Sequence, residues 1–148
     1  MAQRFSHRLR VRYDECDQQG VVFNSHYFAF FDVALTEAFR HAGCPYQEMT
    51  AKGTDAMVAE AHAHYRAPAR FDDEIELEWW VKRLGNKSMT TRIDVKRDGE
   101  LLVEGEMRHV FVDLEKGGST PMPDEVRKAL EPYVEEAAET GTEAEARA

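Results

Sequence analysis

A carboxylate stands just before the longest apolar segment of this sequence. Asp17 opens the run DQQG at positions 17–20, and an apolar pattern with helical spacing extends from Tyr27 to Ala42. Gly20 permits a tight turn or a close approach to a ligand, and the N-terminus of a helix carries partial positive charge. This spacing places a carboxylate beside the positive end of a helix, where we expect chemistry. The alternative is that Asp17 ends a strand or forms an Asx turn.

The helix that follows is apolar around almost its whole circumference, which is typical of a buried helix. Asp32, Thr36 and Arg40 recur every four residues and form one narrow polar stripe. Asn24 or Ser25 is predicted to cap its N-terminus, and Gly43 is predicted to end it. The sequence therefore indicates a long central helix with a single line of residues facing water or a partner.

Five segments alternate between apolar and polar residues with the period of a half-buried strand. They are predicted at residues 5–13, 55–66, 74–84, 88–96 and 101–113. Turn signals at residues 85–86 and 98–99 join the last three strands into an antiparallel meander, and a last helix, capped by Asp124, is interrupted at Pro132. One face of the second strand is predicted to carry Met57, Ala59, Ala61, Ala63 and Tyr65. This order favours an α+β domain in which a five-stranded antiparallel sheet wraps around the helix.

Composition and charge narrow the class of protein further. The 148 residues suit one domain at 1–134, followed by an acidic tail at 135–148 that is expected to be frayed or disordered. A net charge of -9 argues against nucleic-acid and anionic-membrane partners. No apolar run approaches the length of a membrane span, and the first residues lack the apolar core of a signal peptide. We therefore expect a cytoplasmic protein in which Cys16 and Cys44 are free thiols.

Three blocks of the sequence form a pattern with specific spacing. The first block is Asp17-x-x-Gly20-Val21-Val22-Phe23-Asn24-x-x-Tyr27, which precedes the helix. The second comprises YRAPARFDD at 65–73 and the hairpin RLGNKS at 83–88, and the third is the proline-containing stretch at 121–126. Together the blocks resemble the 4-hydroxybenzoyl-CoA thioesterase family. The resemblance implies the hotdog fold and the hydrolysis of an acyl-CoA thioester to a carboxylic acid and CoA.

The resemblance also implies roles for the first block. Thioester hydrolysis needs an activated water or an attacking carboxylate, together with donors for the oxygen that gains negative charge. Asp17 would be the general base or the nucleophile, and the sequence leaves both open. Backbone N–H groups at residues 23–25 would polarise the thioester carbonyl. Asn24 would orient substrate or water, with a plain helix cap as the alternative.

The predicted binding residues lie in two places. One branch of the family carries histidine where this chain has Asn24, so histidine-assisted proton transfer would require His26. The predicted acyl-binding set is Gly20, Val21, Phe23, Ser25, His26, Tyr27 and Ala61, of which His26 and Tyr27 are equally compatible with core positions. The basic hairpin is predicted to hold the CoA phosphates, unless it is a solvated turn, through Lys87, Arg83 and Ser88.

The resemblance implies a homodimer, often stacked into a dimer of dimers, because open sheet edges are closed by pairing. Asp17 would then face residues 59–63 of the other subunit. The family uses no cofactor beyond the CoA of its substrate and no metal, although Glu60, His62 and His64 share a strand face that invites a zinc interpretation. Two other functions stay open, an acyl-CoA sensor or carrier that does not hydrolyse its ligand, and a hotdog dehydratase, whose motif is not found in this sequence.

Overall fold

The computed structural model describes residues 2–135, and the predicted tail from residue 136 onward lies outside them. The helices are α1 (His26–Ala42), α2 (Tyr46–Ala51) and α3 (Asp124–Leu130). The strands are β1 (Phe5–Arg10), β2 (Thr54–Tyr65), β3 (Glu74–Leu84), β4 (Ser88–Arg97) and β5 (Glu100–Asp113). The predicted order of one strand, a helix and four further strands is confirmed. Among the described residues, no helix combines the length and apolar character needed to span a membrane.

The five strands form one antiparallel sheet in the order β1-β3-β4-β5-β2. The predicted meander of β3, β4 and β5 is confirmed, and β1 and β2 are the two edges of the sheet. β1 is shorter than predicted because the Glu15 carboxylate accepts the N–H of Arg12 and closes a 3-10 turn at Tyr13–Glu15. At the other end of the chain, α3 stops at Leu130 and a second 3-10 turn contains Pro132, as predicted.

Helix α1 packs against the inner face of this sheet. Its side chains Phe31, Ala34, Ala38 and Phe39 are almost completely buried. The ring of Phe31 lies directly on Gly105 in the middle of β5, where a Cβ atom would come 2.4 Å from Phe31 Cζ. Because only glycine permits this approach, Gly105 sets the depth at which the helix lies in the sheet. The arrangement is the expected α+β hotdog fold.

Neither α1 nor α3 begins with a side-chain cap. Ser25 is the N-cap residue of α1, but its backbone is already helical, with φ -73° and ψ -17°, and its hydroxyl makes no capping hydrogen bond. A capping side chain needs an extended backbone at that position. α3 starts from Pro123, so Asp124 is its first residue and the predicted cap is wrong. The predicted end of α1 is confirmed, because Gly43 adopts φ 89°.

A β-bulge divides strand β2 at Ala59. The register with β5 changes between Val58, which pairs with His109, and Glu60, which pairs with Arg108. The extra residue shifts the alternation of side chains. Ala61, Ala63 and Tyr65 lie on the inner face as a group, opposite Met107, Gly105 and Val103. The prediction that Met57 shares this face is wrong, since the bulge turns it to the outer face.

Candidate active site

Asp17 lies in a tight turn held by backbone hydrogen bonds. The Asp17 N–H donates to the Val21 carbonyl over 2.9 Å, and the Gly20 N–H donates to the Asp17 carbonyl over 2.9 Å. Gly20 has φ 79°, in the left-handed region that glycine tolerates best. An isolated bridge between Cys16 and Val22 closes the base of the turn. The position of Asp17 is therefore fixed by main-chain bonds on both sides.

The two carboxylate oxygens of Asp17 have different surroundings. Oδ1 accepts the Gln19 N–H over 2.8 Å, so the Asx turn that the sequence left as an alternative is present. Oδ2 makes no hydrogen bond to any of residues 2–135. The half-buried side chain lines a cleft of about 320 Å³. The Asx turn is therefore compatible with chemistry, because it orients one oxygen and leaves the other accessible.

One wall of the cleft is formed by the Asp17 turn and the start of α1. The other wall is formed by the end of β2 and the segment that follows it. Its lining residues are Asp17, Gln19, Val21, Val22, Asn24, Tyr27, Tyr65, Arg66, Ala67 and Pro68. The two walls are tied together, because the Val22 N–H donates to the Ala69 carbonyl over 2.8 Å. The hydroxyl of buried Tyr27 accepts the Ala69 N–H over 3.2 Å. These bonds fix the width of the cleft beside the helix.

Backbone donors remain free where the chain enters α1. The Phe23 N–H donates to the Glu15 carbonyl and the His26 N–H donates to the Phe23 carbonyl. Between them, the N–H groups of Asn24 and Ser25 donate to no acceptor in the described part of the chain. Tyr65 Oη donates to the Asn24 carbonyl oxygen over 2.8 Å and so orients that peptide. Two free donors thus lie at the positive end of a helix dipole, next to the cleft.

Glu15 is a buried carboxylate next to this site, with only 2% of its surface exposed. It accepts hydrogen bonds from the Arg12 N–H, from Arg12 Nη2 and from His26 Nε2, over 2.6, 2.8 and 3.1 Å. Burial acts to raise the pKa of Glu15, but the hydrogen bonds from Arg12 and His26 outweigh it and hold the pKa below its ordinary value. Glu15 is therefore ionised at neutral pH.

The structure brings only part of the predicted acyl-binding set to the cleft. Val21 and Tyr27 line it, as do both predicted catalytic residues, and Gly20 shapes the turn. Besides Gly20, four predicted residues do not line it, namely Phe23, which is exposed, Ser25, His26, which is directed to Glu15, and Ala61, which lies on the exposed inner face of β2.

The predicted CoA-binding hairpin lies at the other end of the sheet. The cleft is next to the Glu74 end of β3, since Arg97 donates both to the carbonyl of Pro68, which lines the cleft, and to the carboxylate of Asp73, which directly precedes β3. Arg83, Lys87 and Ser88 flank the Leu84 end of the strand. A strand of this length spans roughly 30 Å. Within one chain, the hairpin and Asp17 therefore do not share a site.

The three residues that suggested zinc share the outer face of β2, as predicted. Glu60, His62 and His64 are opposite Arg108, Glu106 and Glu104 of β5. Glu60 Oε2 lies 3.5 Å from Arg108 Nε, so one of the three side chains is engaged in an ion pair. Within residues 2–135, no group of three His, Cys, Asp or Glu side chains is arranged to hold a metal ion. Cys16 and Cys44 are free thiols, as expected.

Sequence reasoning missed Glu15 and Tyr65. Tyr65 belongs to the second block of the resemblance, where its neighbourhood was noted without a role. Glu15 stands two residues before Asp17, but its burial and its bond to His26 depend on how the turn folds back onto α1. Patterns of alternation carry no signal for such a contact.

Comparison with known proteins identifies the family. Residues 11–130 match the family described as the thioesterase-like superfamily. The acyl-CoA thioester hydrolase YbgC of Escherichia coli O6:H1 is 36% identical over 107 residues, which cover 71% of this chain and 79% of that protein. A putative esterase of Aquifex aeolicus is 29% identical over 126 residues, 85% of this chain and 97% of that protein.

A solved structure has a similar fold. The crystal structure of a hypothetical protein from Thermus thermophilus has a TM-score of 0.82 and 34% sequence identity, and the match covers 86% of this chain and 98% of that chain. The family match includes the Asp17 turn, helix α1, the segment after β2 and the whole meander. The chain belongs to the thioesterase-like superfamily.

Proposed function

We propose that the protein hydrolyses an acyl-CoA thioester to a carboxylic acid and free CoA. The observation that carries the proposal is a carboxylate oxygen in the cleft without a partner among the described residues, together with two free backbone N–H groups at the adjoining helix N-terminus, of which that of Asn24 belongs to a residue that lines the same cleft. A nucleophile and an oxyanion site are the two parts that acyl transfer requires. The relatives named as acyl-CoA thioester hydrolases support this choice of substrate.

In the first route, Asp17 is a general base. Its free oxygen takes a proton from a water molecule while the water oxygen bonds to the thioester carbon. The negative charge that develops on the carbonyl oxygen is stabilised by the N–H groups of Asn24 and Ser25, and each such donor is typically worth about 10²–10³ in rate. Collapse of the tetrahedral intermediate breaks the carbon–sulfur bond, and the proton held by Asp17 passes to the departing thiolate.

In the second route, Asp17 attacks the thioester carbon directly, forms a mixed anhydride and releases the CoA thiolate, and water then cleaves the anhydride. A single turnover in ¹⁸O-labelled water identifies the second route if the label appears in Asp17, whereas label in the acid alone is expected both of the first route and of an anhydride cleaved at the acyl carbon. Water attack on the thioester places the label in the acid product. An anhydride cleaved at the carboxyl carbon of the protein places it in Asp17.

We further propose that the working unit is a homodimer, which can stack into a dimer of dimers. Strand β2 is an open edge of twelve residues without lysine or arginine, whereas the other edge, β1, is half as long and carries Arg8 and Arg10. Long edges without such charges are those that pair with another strand. Apolar side chains of β2 are exposed, namely Met57, Val58 and Tyr65. Pairing of two β2 strands would cover this surface.

Antiparallel pairing of two β2 strands would also bring the hairpin to the cleft. Around a two-fold axis, the Tyr65 end of one β2 lies opposite the Thr54 end of the other. The hairpin lies toward the Thr54 end, because the Lys87 carbonyl accepts the N–H of Phe111, which pairs with Ala56. We therefore assign the CoA phosphates of one site to Lys87, Arg83 and Ser88 of the partner subunit. Because CoA thioesters are intracellular metabolites, we place the reaction in the cytoplasm.

The test is release of free thiol from a panel of aromatic and aliphatic acyl-CoAs. Asp17→Asn should lower kcat by a hundredfold or more, on the scale of about 10²–10⁴ that general acid–base catalysis contributes. Asp14→Asn is the matched control, because Asp14 is an exposed carboxylate three residues earlier that does not line the cleft. Tight binding of acyl-CoA without thiol release would instead identify a sensor or carrier. Equal turnover by the wild type and a folded Asp17→Asn variant would remove Asp17 from the mechanism.

A further inference from the structure

Glu15 is a buried charged side chain that neither route of the reaction uses. It does not line the cleft, yet it lies two residues before Asp17. Its carboxylate accepts hydrogen bonds from the segment before it, through Arg12, and from the first residue of α1, through His26. Burying an ionised group is unfavourable unless it is fully hydrogen-bonded, so this arrangement needs an explanation.

The contacts of Glu15 connect both halves of the candidate active site. Its side chain binds His26 Nε2 in the first turn of α1, and its backbone carbonyl accepts the Phe23 N–H over 3.0 Å. Phe23 directly precedes the free N–H groups of Asn24 and Ser25. On the other side, only Cys16 separates Glu15 from Asp17. One residue therefore links the carboxylate to the donors for the oxyanion.

We propose that Glu15 is a positioning residue, which acts through His26 to hold the Asp17 turn at a fixed distance from the start of helix α1. This inference rests on the proposed thioesterase function. A misplacement of about 1 Å between a catalytic group and its substrate can lower the rate on the order of a hundredfold. The bond to His26 is the one that reaches helix α1, whereas both Arg12 bonds come from the segment before Glu15 and the ion pair of the exposed Arg12 side chain is screened by water.

The same geometry gives His26 its role. Its Nε2–H is engaged by Glu15, its ring packs edge-on against Phe30 with 4.9 Å between ring centroids, and it does not line the cleft. We call the hydrogen-bonded pair of Glu15 and His26 the clasp. His26 therefore does not replace the histidine that one branch of the resembled family carries where this chain has Asn24. The acid–base work stays with Asp17.

Three variants test the clasp. Glu15→Gln keeps the shape of the side chain but removes its charge and replaces one acceptor oxygen by an N–H donor, so the side chain can no longer accept all three of the hydrogen bonds that Arg12 and His26 donate to Glu15. His26→Leu removes the donor, and His26→Gln keeps an N–H near the position of Nε2. We expect kcat to fall by about 10- to 100-fold for Glu15→Gln and His26→Leu, with KM changed less than about threefold, and His26→Gln to stay near wild type.

The matched control is Tyr46→Phe. Tyr46 Oη is hydrogen-bonded to Asp55 and to the Ala56 carbonyl, on helix α2 and away from the cleft. Its loss should lower the melting temperature without lowering kcat. Equal losses of kcat in Tyr46→Phe and Glu15→Gln at equal losses of stability would overturn the positioning role, as would a His26→Gln variant as impaired as His26→Leu.

A measurement of hydrogen exchange, which does not depend on catalysis, tests this inference separately from the proposed function. In wild type, the Nε2–H of His26 and the Phe23 amide should exchange slowly with solvent in NMR experiments, and both should exchange faster in Glu15→Gln but not in Tyr46→Phe. If no acyl-CoA is hydrolysed by wild type, the proposed function fails while the exchange data still test the clasp. If Asp17→Asn abolishes turnover and Glu15→Gln changes neither kcat nor exchange, the clasp is overturned and the proposed function stands.

Discussion

Mixing two inactive variants should restore activity if each active site is shared between subunits. Asp17→Asn removes the carboxylate of a subunit's own cleft. Ala61→Trp places a large ring on the exposed inner face of β2, the face that a second subunit would present to the first subunit's cleft. Each variant alone should be inactive for a different reason.

The expected recovery follows from random pairing. Half of the dimers contain one subunit of each kind, and each of these has one site that joins an intact Asp17 to an intact Ala61. Its second site carries both changes. Since one of two sites works in half of the dimers, activity should return to about a quarter of the wild-type value. A site built within one chain would give no recovery, because every Asp17 subunit would carry its own blocking tryptophan.

The assay is thiol release after unfolding and refolding the mixed variants, with sedimentation to confirm that mixed dimers form. His62→Trp is the matched control, because His62 is the next residue on the same strand and points to the outer face. It should keep normal activity alone and should not block its neighbour. Dilution to monomer should lower the activity per subunit. No recovery in verified mixed dimers, or a fully active monomer, would refute the shared site.

Three further predictions concern the hairpin, a buried histidine and the contact of Gly105 with Phe31 of helix α1. Lys87→Ala should raise KM for acyl-CoA more than it lowers kcat, and should leave KM unchanged for an acyl-pantetheine without the nucleotide, with exposed Lys128→Ala as the control. Burial lowers the pKa of His109 to about 4. Because the unfolded chain takes up this proton near pH 6.5, the free energy of unfolding should drop by roughly 2 kcal/mol as the pH falls from about 6.5 to 4.5, and His109→Gln should flatten this slope in urea titrations. Gly105→Ala should destabilise the protein by about 1–3 kcal/mol, and less so in a Phe31→Leu background, because the added Cβ collides with the Phe31 ring.

The sheet and the central helix could be predicted because each rests on a local pattern. The alternation in β3 gives the observed bounds Glu74–Leu84, and Gly43 ends α1 where a left-handed residue is required. The caps could not be predicted, since a polar residue before a helix caps it only if its own backbone is extended. The bulge at Ala59 was also missed, because an extra residue in β2 leaves no mark in a run of small side chains.

The candidate site was predictable only in part, for a similar reason. Asp17 and Asn24 are close in sequence to the start of α1, so their meeting at the cleft follows from the turn and the helix together. Tyr65 and Pro68 reach the same cleft from the other wall, more than forty residues away, through pairings such as the bond from the Val22 N–H to the Ala69 carbonyl. Contacts of this kind depend on tertiary packing, which local periodicity does not encode.

The proposed role of Lys87 in binding CoA is the strongest physical reason to propose a shared site. The strand between Lys87 and the cleft is too long for one chain to offer both groups to a single acyl-CoA. The proposed pairing of two β2 edges would supply the missing geometry, because two copies paired antiparallel exchange their ends. The hydrogen bonds between the two β2 strands would thus also place the hairpin of one subunit next to the cleft of the other. On this argument, a charge placed on the β2 edge should weaken dimerisation and CoA binding together, whereas Lys87→Ala should weaken CoA binding alone.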